Sequence, residues 1–278
     1  MSTTISAADV KKLRDMTGAG MMDCKGALGE AEGDFEKAIE ILRKKGEKLS
    51  IKRADRNATE GVVLALISDD RTRGVVIKIS SETDFVAKNE NFIAMARKVA
   101  ETLLAHFPAT REEALELAFD DALTIGQKIT EQVGVIGEKI ELANYERIEA
   151  AMVAPYIHMG NKAGVLIGLN KAHDNYFDAG RDVAMQVAAM HPVALDKDFV
   201  DPTVIEKEIE IGKEIARNEG KPEEMLEKIA LGKLNKFYKE STLLNQDFVK
   251  DNKQTVAAYL KGFDKELTVT DFKHVKLG

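Results

Sequence analysis

The sequence predicts an α+β protein: a small bundle of three helices, then two repeated α+β units, with a helical hairpin inside the second. Three observations carry this. The first fifty or so residues hold three short apolar-periodic runs, each with a cap and a glycine stop. From Ala58 the pattern turns to strands, and a hairpin followed by a helix occurs twice. At 278 residues the chain is long for one core, so two or three units are expected. The expected divisions are 1–55, 56–145 and 146–278, with the hairpin at 201–239.

In the first helix Ser6 is the cap, Asp9 its capping-box partner, Val10 and Leu13 the buried face and Gly18 the stop. The second runs from Met21 or Met22 to Ala31, with Cys24, Ala27 and Leu28 on its apolar side and Gly33 after it. Asp34 caps the third, where Phe35, Ala38, Ile39 and Leu42 form a stripe before Gly46. Three helices of this length make a bundle with a thin core. The loop Thr17-Gly18-Ala19-Gly20-Met21-Met22-Asp23-Cys24-Lys25 sets two methionines side by side. Either one is buried and the other is incidental surface, or the pair is a soft apolar knob for a partner. Cys24 has no histidine nearby to activate it and reads as a buried thiol. Residues 43–56 are rich in Lys and Arg, including Arg43, Lys44, Lys45, Lys48, Lys52, Arg53 and Arg56. They read as a solvated basic linker, since a phosphate-binding patch lacks interleaved aromatics here.

The middle of the chain contains a repeat. Gly61–Ile67 and Gly74–Ile79 form a β-hairpin, and a helix from Phe92 to about Phe107 stops at Pro108. Later, Ala151–His158 and Gly164–Leu169 form a second hairpin, and a helix from Tyr176 to His191 stops at Pro192. Pro155 marks the strand that holds it as interrupted or at an edge. Gly74-Val75-Val76-Ile77 matches Gly164-Val165-Leu166-Ile167 at an offset of 90, and Ala96–Ala100 matches Gly180–Ala184 at an offset of 84. The first copy therefore has six more residues between strand and helix, and they fall around Thr83-Asp84-Phe85-Val86-Ala87-Lys88. Phe85 either folds back to plug the local core or points outward as a wedge for a partner's pocket. The second copy closes without these residues, which favours the outward reading.

Between the copies Thr110 and Glu113 suggest a capped helix. A further helical pattern covers roughly Phe119 to Val133 and ends in Gly134–Glu138, and Ile140–Ile148 alternates like a strand. Asp201-Pro202 opens a helix with a cap and a first-turn proline. Ile205, Ile209 and Ile215 or Ala216 give it a narrow seam. Asn218–Pro222 breaks it, and a second helix carries Leu226, Ile229, Ala230, Leu234 and Phe237. So thin a seam fits a pair that projects, either stabilising only itself or serving as a docking arm.

The net charge of -7 argues against general nucleic-acid binding. It is uneven: residues 1–60 hold 12 Lys/Arg against 11 Asp/Glu, and the rest hold 28 against 36. One cysteine excludes an internal disulfide and fits a reducing cytoplasm. No run of 18 apolar residues exists, and the start Met1-Ser2-Thr3-Thr4 lacks the marks of a signal peptide. The histidines His106, His158, His173, His191 and His274 are not spaced as metal ligands. No phosphate loop, dinucleotide fingerprint or nucleophile elbow is present. His158, in a strand next to a turn, is structural or a partner contact. The inventory points to a protein that binds proteins.

Two stretches together resemble a known family. Thr17–Lys25, followed by a helix, resembles the amino-terminal signature of the bacterial translation elongation factor Ts family. Thr83–Lys88 resembles its second signature, at the expected separation. The similarity continues through Ile136-Gly137-Glu138, the second core repeat and the hairpin, and so covers nearly the whole chain. The resemblance implies a guanine nucleotide exchange factor for elongation factor Tu. Such a factor promotes GDP release during translation elongation by disturbing the Mg²⁺ and phosphate site, with no covalent chemistry and no cofactor or metal of its own. It implies a ubiquitin-associated-type (UBA-like) three-helix domain, two α+β core subdomains and a projecting antiparallel coiled-coil arm. Family contacts with the partner carry over to Arg14, Met21 and Met22, and to Thr83, Asp84, Phe85 and Val86 in the region that displaces Mg²⁺. Ile136 and His158 match positions that meet the partner's other face. The implied partner is elongation factor Tu, GDP-bound or nucleotide-free, in the cytoplasm. No direct nucleic acid and no membrane are implied, and a homodimer through 201–239 is open. Some members end in an extra helix that reaches the partner again; this chain stops at Lys276-Leu277-Gly278, so that contact is expected to be missing. Two rival readings, a small hydrolase and an adaptor using only residues 1–50, are separated from this one by a GDP-release assay.

Overall fold

The computed structural model describes residues 5–278; Met1-Ser2-Thr3-Thr4, read above for the lack of a signal peptide, lie outside the described residues. The chain divides into two compact units. The first comprises Met1–Leu64, Ile77–Tyr145 and Val275–Gly278, the second Ala65–Val76 and Glu146–His274, and the division falls inside strands. Among the described residues, no helix is long and apolar enough to cross a membrane.

The first unit begins with three helices. α1 (Ala7–Thr17) has the capping box expected of Ser6 and Asp9 and ends at Gly18 in the left-handed region. α2 (Met21–Glu30) buries Cys24, Ala27 and Leu28. α3 (Phe35–Arg53) is capped by Asp34 but does not stop at Gly46. It runs on to Arg53, so the basic stretch expected as a linker is largely helix. The reason is tertiary. α3 crosses α7 (Ile125–Ile136) where Gly46 meets Gly134. A Cβ on Gly134 would stand 2.9 Å from the Gly46 Cα, so the helices approach at backbone level. A helical glycine costs about 1 kcal/mol against alanine, and this packing offsets it.

The strands β1 (Glu60–Ile67) and β2 (Arg73–Ser81) form the first hairpin, and β3 (Glu141–Glu149) joins the other side of β2. A single helical turn, α4 (Asp84–Ala87), follows β2. α5 (Glu90–His106) buries Phe92, Met95, Ala96, Val99, Ala100 and Leu103. α6 (Arg111–Glu116) is capped by Thr110 as expected. The pattern from Phe119 to Val133 becomes a later and longer-reaching helix. Residues 119–124 are a turn closed by an Ala118–Thr124 bridge, and the capping box of Thr124 with Gln127 starts α7. α7 passes through Gly134 and ends at Gly137, whose φ of 81° is the left-handed conformation of a helix stop.

The second unit repeats the hairpin and helix. β4 (Met152–His158) and β5 (Ala163–Leu169) pair antiparallel with Pro155 opposite Leu166, and β8 (Val269–Lys276) flanks β5. β4 is thus an edge strand, where a missing N–H is tolerated. α8 (Asp174–Met190) is as long as α5, and each ends in a left-handed residue before a proline: Phe107 before Pro108, His191 before Pro192. The core under α8 includes Val165, Ile167, Leu169, Val183, Val187, Phe248 and Leu260. α9 (Pro202–Asn218) and α10 (Glu223–Ser241) pack on each other, with Gly212 against Ala230. Ala216 rather than Ile215 takes the seam: Ala216 is fully buried, while Ile215 is exposed. The small strands β6 (Asp247–Phe248) and β7 (Asp251–Thr255) and the helix α11 (Val256–Lys261) complete the unit.

Candidate partner interface

The connection between β2 and α5 spans residues 82–89, against 170–173 between β5 and α8. The extra length holds α4. No residue of α4 is buried, and Phe85 is 84% exposed. Phe85 is therefore no core plug; an aromatic ring stands in solvent on a four-residue turn. The neighbouring Asp84 is paired with Lys88, Nζ to Oδ2 at 2.6 Å. That hydrogen bond holds the Asp84 carboxyl below its usual range and raises Lys88.

The turn is held from below. Thr83 occupies the cap position of α4, yet its hydroxyl does not cap the turn. Instead the Thr83 N–H donates to Glu138 Oε2 (3.0 Å) and the Thr83 hydroxyl donates to Glu138 Oε1 (2.7 Å). One residue earlier, Glu82 Oε1 accepts from the Lys139 N–H (2.6 Å) and from Arg53 Nη1 (2.7 Å). The Lys139 amide and then the Arg53 guanidinium lower the Glu82 pKa against an opposing effect of burial. The buried Ser81 donates its hydroxyl to the Thr83 carbonyl at 3.0 Å.

An open groove of about 500 Å³ lies beside Phe85 and Val86. Its other walls are Met16, Thr17 and Gly18 from the end of α1, and Lys128, Gln132, Val135 and Ile136 from α7. The α3–α7 crossing sets this arrangement. It places the last turn of α7 by the α1–α2 loop, where a Cβ on Gly18 would stand 3.6 Å from Val135 Cγ1. Met16 is 57% exposed, Met21 44% and Met22 77%. Both adjacent methionines therefore face solvent, and the core beneath them is filled by Ala19 and Cys24. Arg14 is exposed in the last turn of α1.

The structure thus gathers Phe85, Val86 and Ile136 around one groove; Thr83 and Asp84 directly precede Phe85 in the chain, and Met21 and Met22 open α2. His158 belongs to the second unit. It closes β4 opposite Ala163, half-buried, with its Nδ1 3.0 Å from the Tyr156 hydroxyl. Sequence reasoning missed Met16 and Glu82 and gave no role to Glu138 and Lys88, although both lie in the family-like stretches; Lys88 also carried a local signal, its i,i+4 spacing from Asp84. Among the described residues, no group of three or more His, Cys, Asp or Glu could hold a metal ion. An exposed aromatic, flanking apolar side chains and a fixed loop suit protein docking.

Residues 82–278 match the family model described as elongation factor TS. Curated relatives agree over nearly full length. The chain is 53% identical to the elongation factor Ts of Christiangramia forsetii over 274 residues, covering 99% of each chain. It is 52% identical to that of Flavobacterium psychrophilum, again over 99% of each. It is 43% identical to that of Chloroherpeton thalassium, over 96% of this chain and 94% of the relative.

Proposed function

The chain belongs to the elongation factor Ts family, and from that premise we propose that it is a guanine nucleotide exchange factor for elongation factor Tu. It acts in the cytoplasm during translation elongation and carries out no covalent chemistry of its own. The observation that carries this is Phe85, 84% exposed on a held turn beside an open groove of mixed apolar and polar lining. Nothing in the fold needs that ring at the surface, so its use lies in a partner.

A GTPase holds GDP through backbone amides that cradle the phosphates and a Mg²⁺ ion that neutralises them. An exchange factor need not touch the nucleotide; it must bind better to the state in which those contacts are spoiled. Phe85 enters a crevice beside the magnesium site, with Thr83 and Val86 shaping its base. Asp84 leaves Lys88 and accepts hydrogen bonds from groups that the displacement frees. Arg14, Met21 and Met22 dock on the GTPase domain, while Ile136 and His158 meet the partner's other face. In this division of labour the UBA-like residues 1–55 anchor, 56–145 carry the lever, and 146–278 add contacts. The hairpin 201–239 is an arm through which a second copy can dock. The factor engages elongation factor Tu with GDP bound and without nucleotide.

The test is release of a fluorescent GDP analogue from elongation factor Tu, chased with unlabelled GDP, with and without this protein. Acceleration by substoichiometric amounts is expected. An unchanged release rate at saturating factor overturns the reading.

A further inference from the structure

We propose that Glu138 is a positioning residue for exchange, which holds the turn bearing Phe85 in its working orientation by gripping both donors of Thr83. This rests on the exchange reading above. The motive is an imbalance in how α4 is fixed. A four-residue turn with no fully buried side chain, only half-buried Val86 and Ala87 against the body, has little packing to set its direction. The residues before it add polar anchoring. Thr83 gives its amide and its hydroxyl to the two oxygens of one carboxylate, at 3.0 and 2.7 Å. Bonds from two donors to one carboxylate fix orientation as well as distance, and a charged acceptor strengthens each.

Glu138 itself is well placed to transmit position. It follows Gly137, which ends α7, and Ile136 of that last turn lines the groove beside Phe85. The next residue, Lys139, repeats the pattern by donating its amide to Glu82, and its ammonium reaches the Ala54 carbonyl at 2.9 Å. Arg53, the last residue of α3, holds Glu82 from the other side. Two successive loop residues are thus tied to two successive residues past α7, and through Arg53 to α3. The turn moves with the helices that wall the groove. A loop that already holds its bound shape loses less freedom on docking.

This predicts a separation between binding and action. Glu138→Ala should lower the saturating GDP-release rate about tenfold while the half-saturating concentration changes less than threefold. Thr83→Val removes the hydroxyl but keeps the amide and the shape, and should fall between Glu138→Ala and wild type. Glu138→Gln keeps one strong acceptor oxygen and should recover part of the loss. Hydrogen exchange on the free protein supplies a readout independent of the partner. The amides of 84–88 should exchange faster in Glu138→Ala, with α5 and α7 protected as in wild type. If wild type itself does not accelerate release, the exchange reading fails. If wild type does, and folded Glu138→Ala and Thr83→Val both retain the wild-type saturating rate, the positioning role is overturned. Should Glu138→Ala not fold, Thr83→Val and Glu138→Gln decide by the same criteria.

Discussion

Replacing Phe85 by alanine removes a side chain that the fold does not use. The ring is 84% exposed, and no residue of its turn is buried. Surface substitutions of this kind change stability by no more than about 0.5 kcal/mol. The same ring, fully buried in a partner's crevice, contributes about 1.5–3 kcal/mol. With about 1.4 kcal/mol per tenfold in rate, losing it should slow GDP release by roughly tenfold to hundredfold. The prediction therefore has two parts: an unchanged melting temperature and a strongly reduced release rate from elongation factor Tu. The assay is stopped-flow release of fluorescent GDP across a range of factor concentrations, with thermal melts of both proteins alongside. Asp84→Ala should reduce the rate less, because Asp84 is already paired with Lys88 and only exchanges one partner for another. Wild-type release by Phe85→Ala at saturation would refute the reasoning. A large loss of stability would refute its structural half.

Four further predictions follow from other parts of the fold. Met21→Ala with Met22→Ala should weaken binding of elongation factor Tu by about 1–4 kcal/mol in total, and an unchanged calorimetric affinity would end the docking role. Gly134→Ala places a methyl 2.9 Å from the Gly46 Cα and should destabilise the first unit by about 1–3 kcal/mol, read as a lower denaturant midpoint; an unaltered midpoint contradicts the close crossing. The hairpin is closed at its base by the Val193 N–H on the Ser241 carbonyl and the Leu243 N–H on the Ala194 carbonyl, so replacing 201–239 by a short turn should leave a folded protein that still releases GDP. Loss of exchange in that folded variant counts against it. Glu82 has its pKa depressed by the Lys139 amide and Arg53, so its stabilisation is present above the usual glutamate range and disappears as pH falls through the lowered folded pKa; the stability gap between wild type and Glu82→Gln should shrink on acidification, and a gap that widens instead has the wrong sign.

What could be read in the sequence was local. Ser6 with Asp9, Asp34, Thr110 and Asp201 each cap the helix that they precede, because a cap is chemistry within four residues. The repeat was legible because both copies end their helix at a proline and share a strand motif. The extra residues of the first copy then pointed to Phe85. What escaped was long-range. Gly46 and Gly134 look like stops until each is seen to face the other. The grip of Glu138 on Thr83 joins residues far apart in the chain, and no local pattern announces it. Residues 119–124 had helical periodicity but form a turn, since the stronger start signal is the box of Thr124 with Gln127. Met16 lies one turn past Leu13 on α1 but faces the groove, a distinction that only packing makes.

The two apolar features of the proposed interface have to act differently for exchange to work. A factor shifts an equilibrium only by its difference in affinity for two states. Contacts made equally with GDP-bound and nucleotide-free partner strengthen binding but release nothing. The methionines at the start of α2 sit on a different helix from the turn that carries Phe85 and suit that neutral role. Phe85 takes the differential one in the proposed mechanism, where its ring enters a crevice beside the disturbed magnesium site. One phenylalanine supplies a tenfold to hundredfold difference, so greater acceleration needs other contacts that also distinguish the two states. Coupling is reciprocal: if this protein weakens GDP binding by a given factor, GDP weakens its binding by the same factor. Variants at Met21 and Met22 should then raise the half-saturating concentration and leave the saturating rate in place. Phe85→Ala should lower the saturating rate and reduce the penalty that GDP imposes on complex formation. Equal effects of both substitutions on both quantities would show that docking and leverage are not divided between these residues.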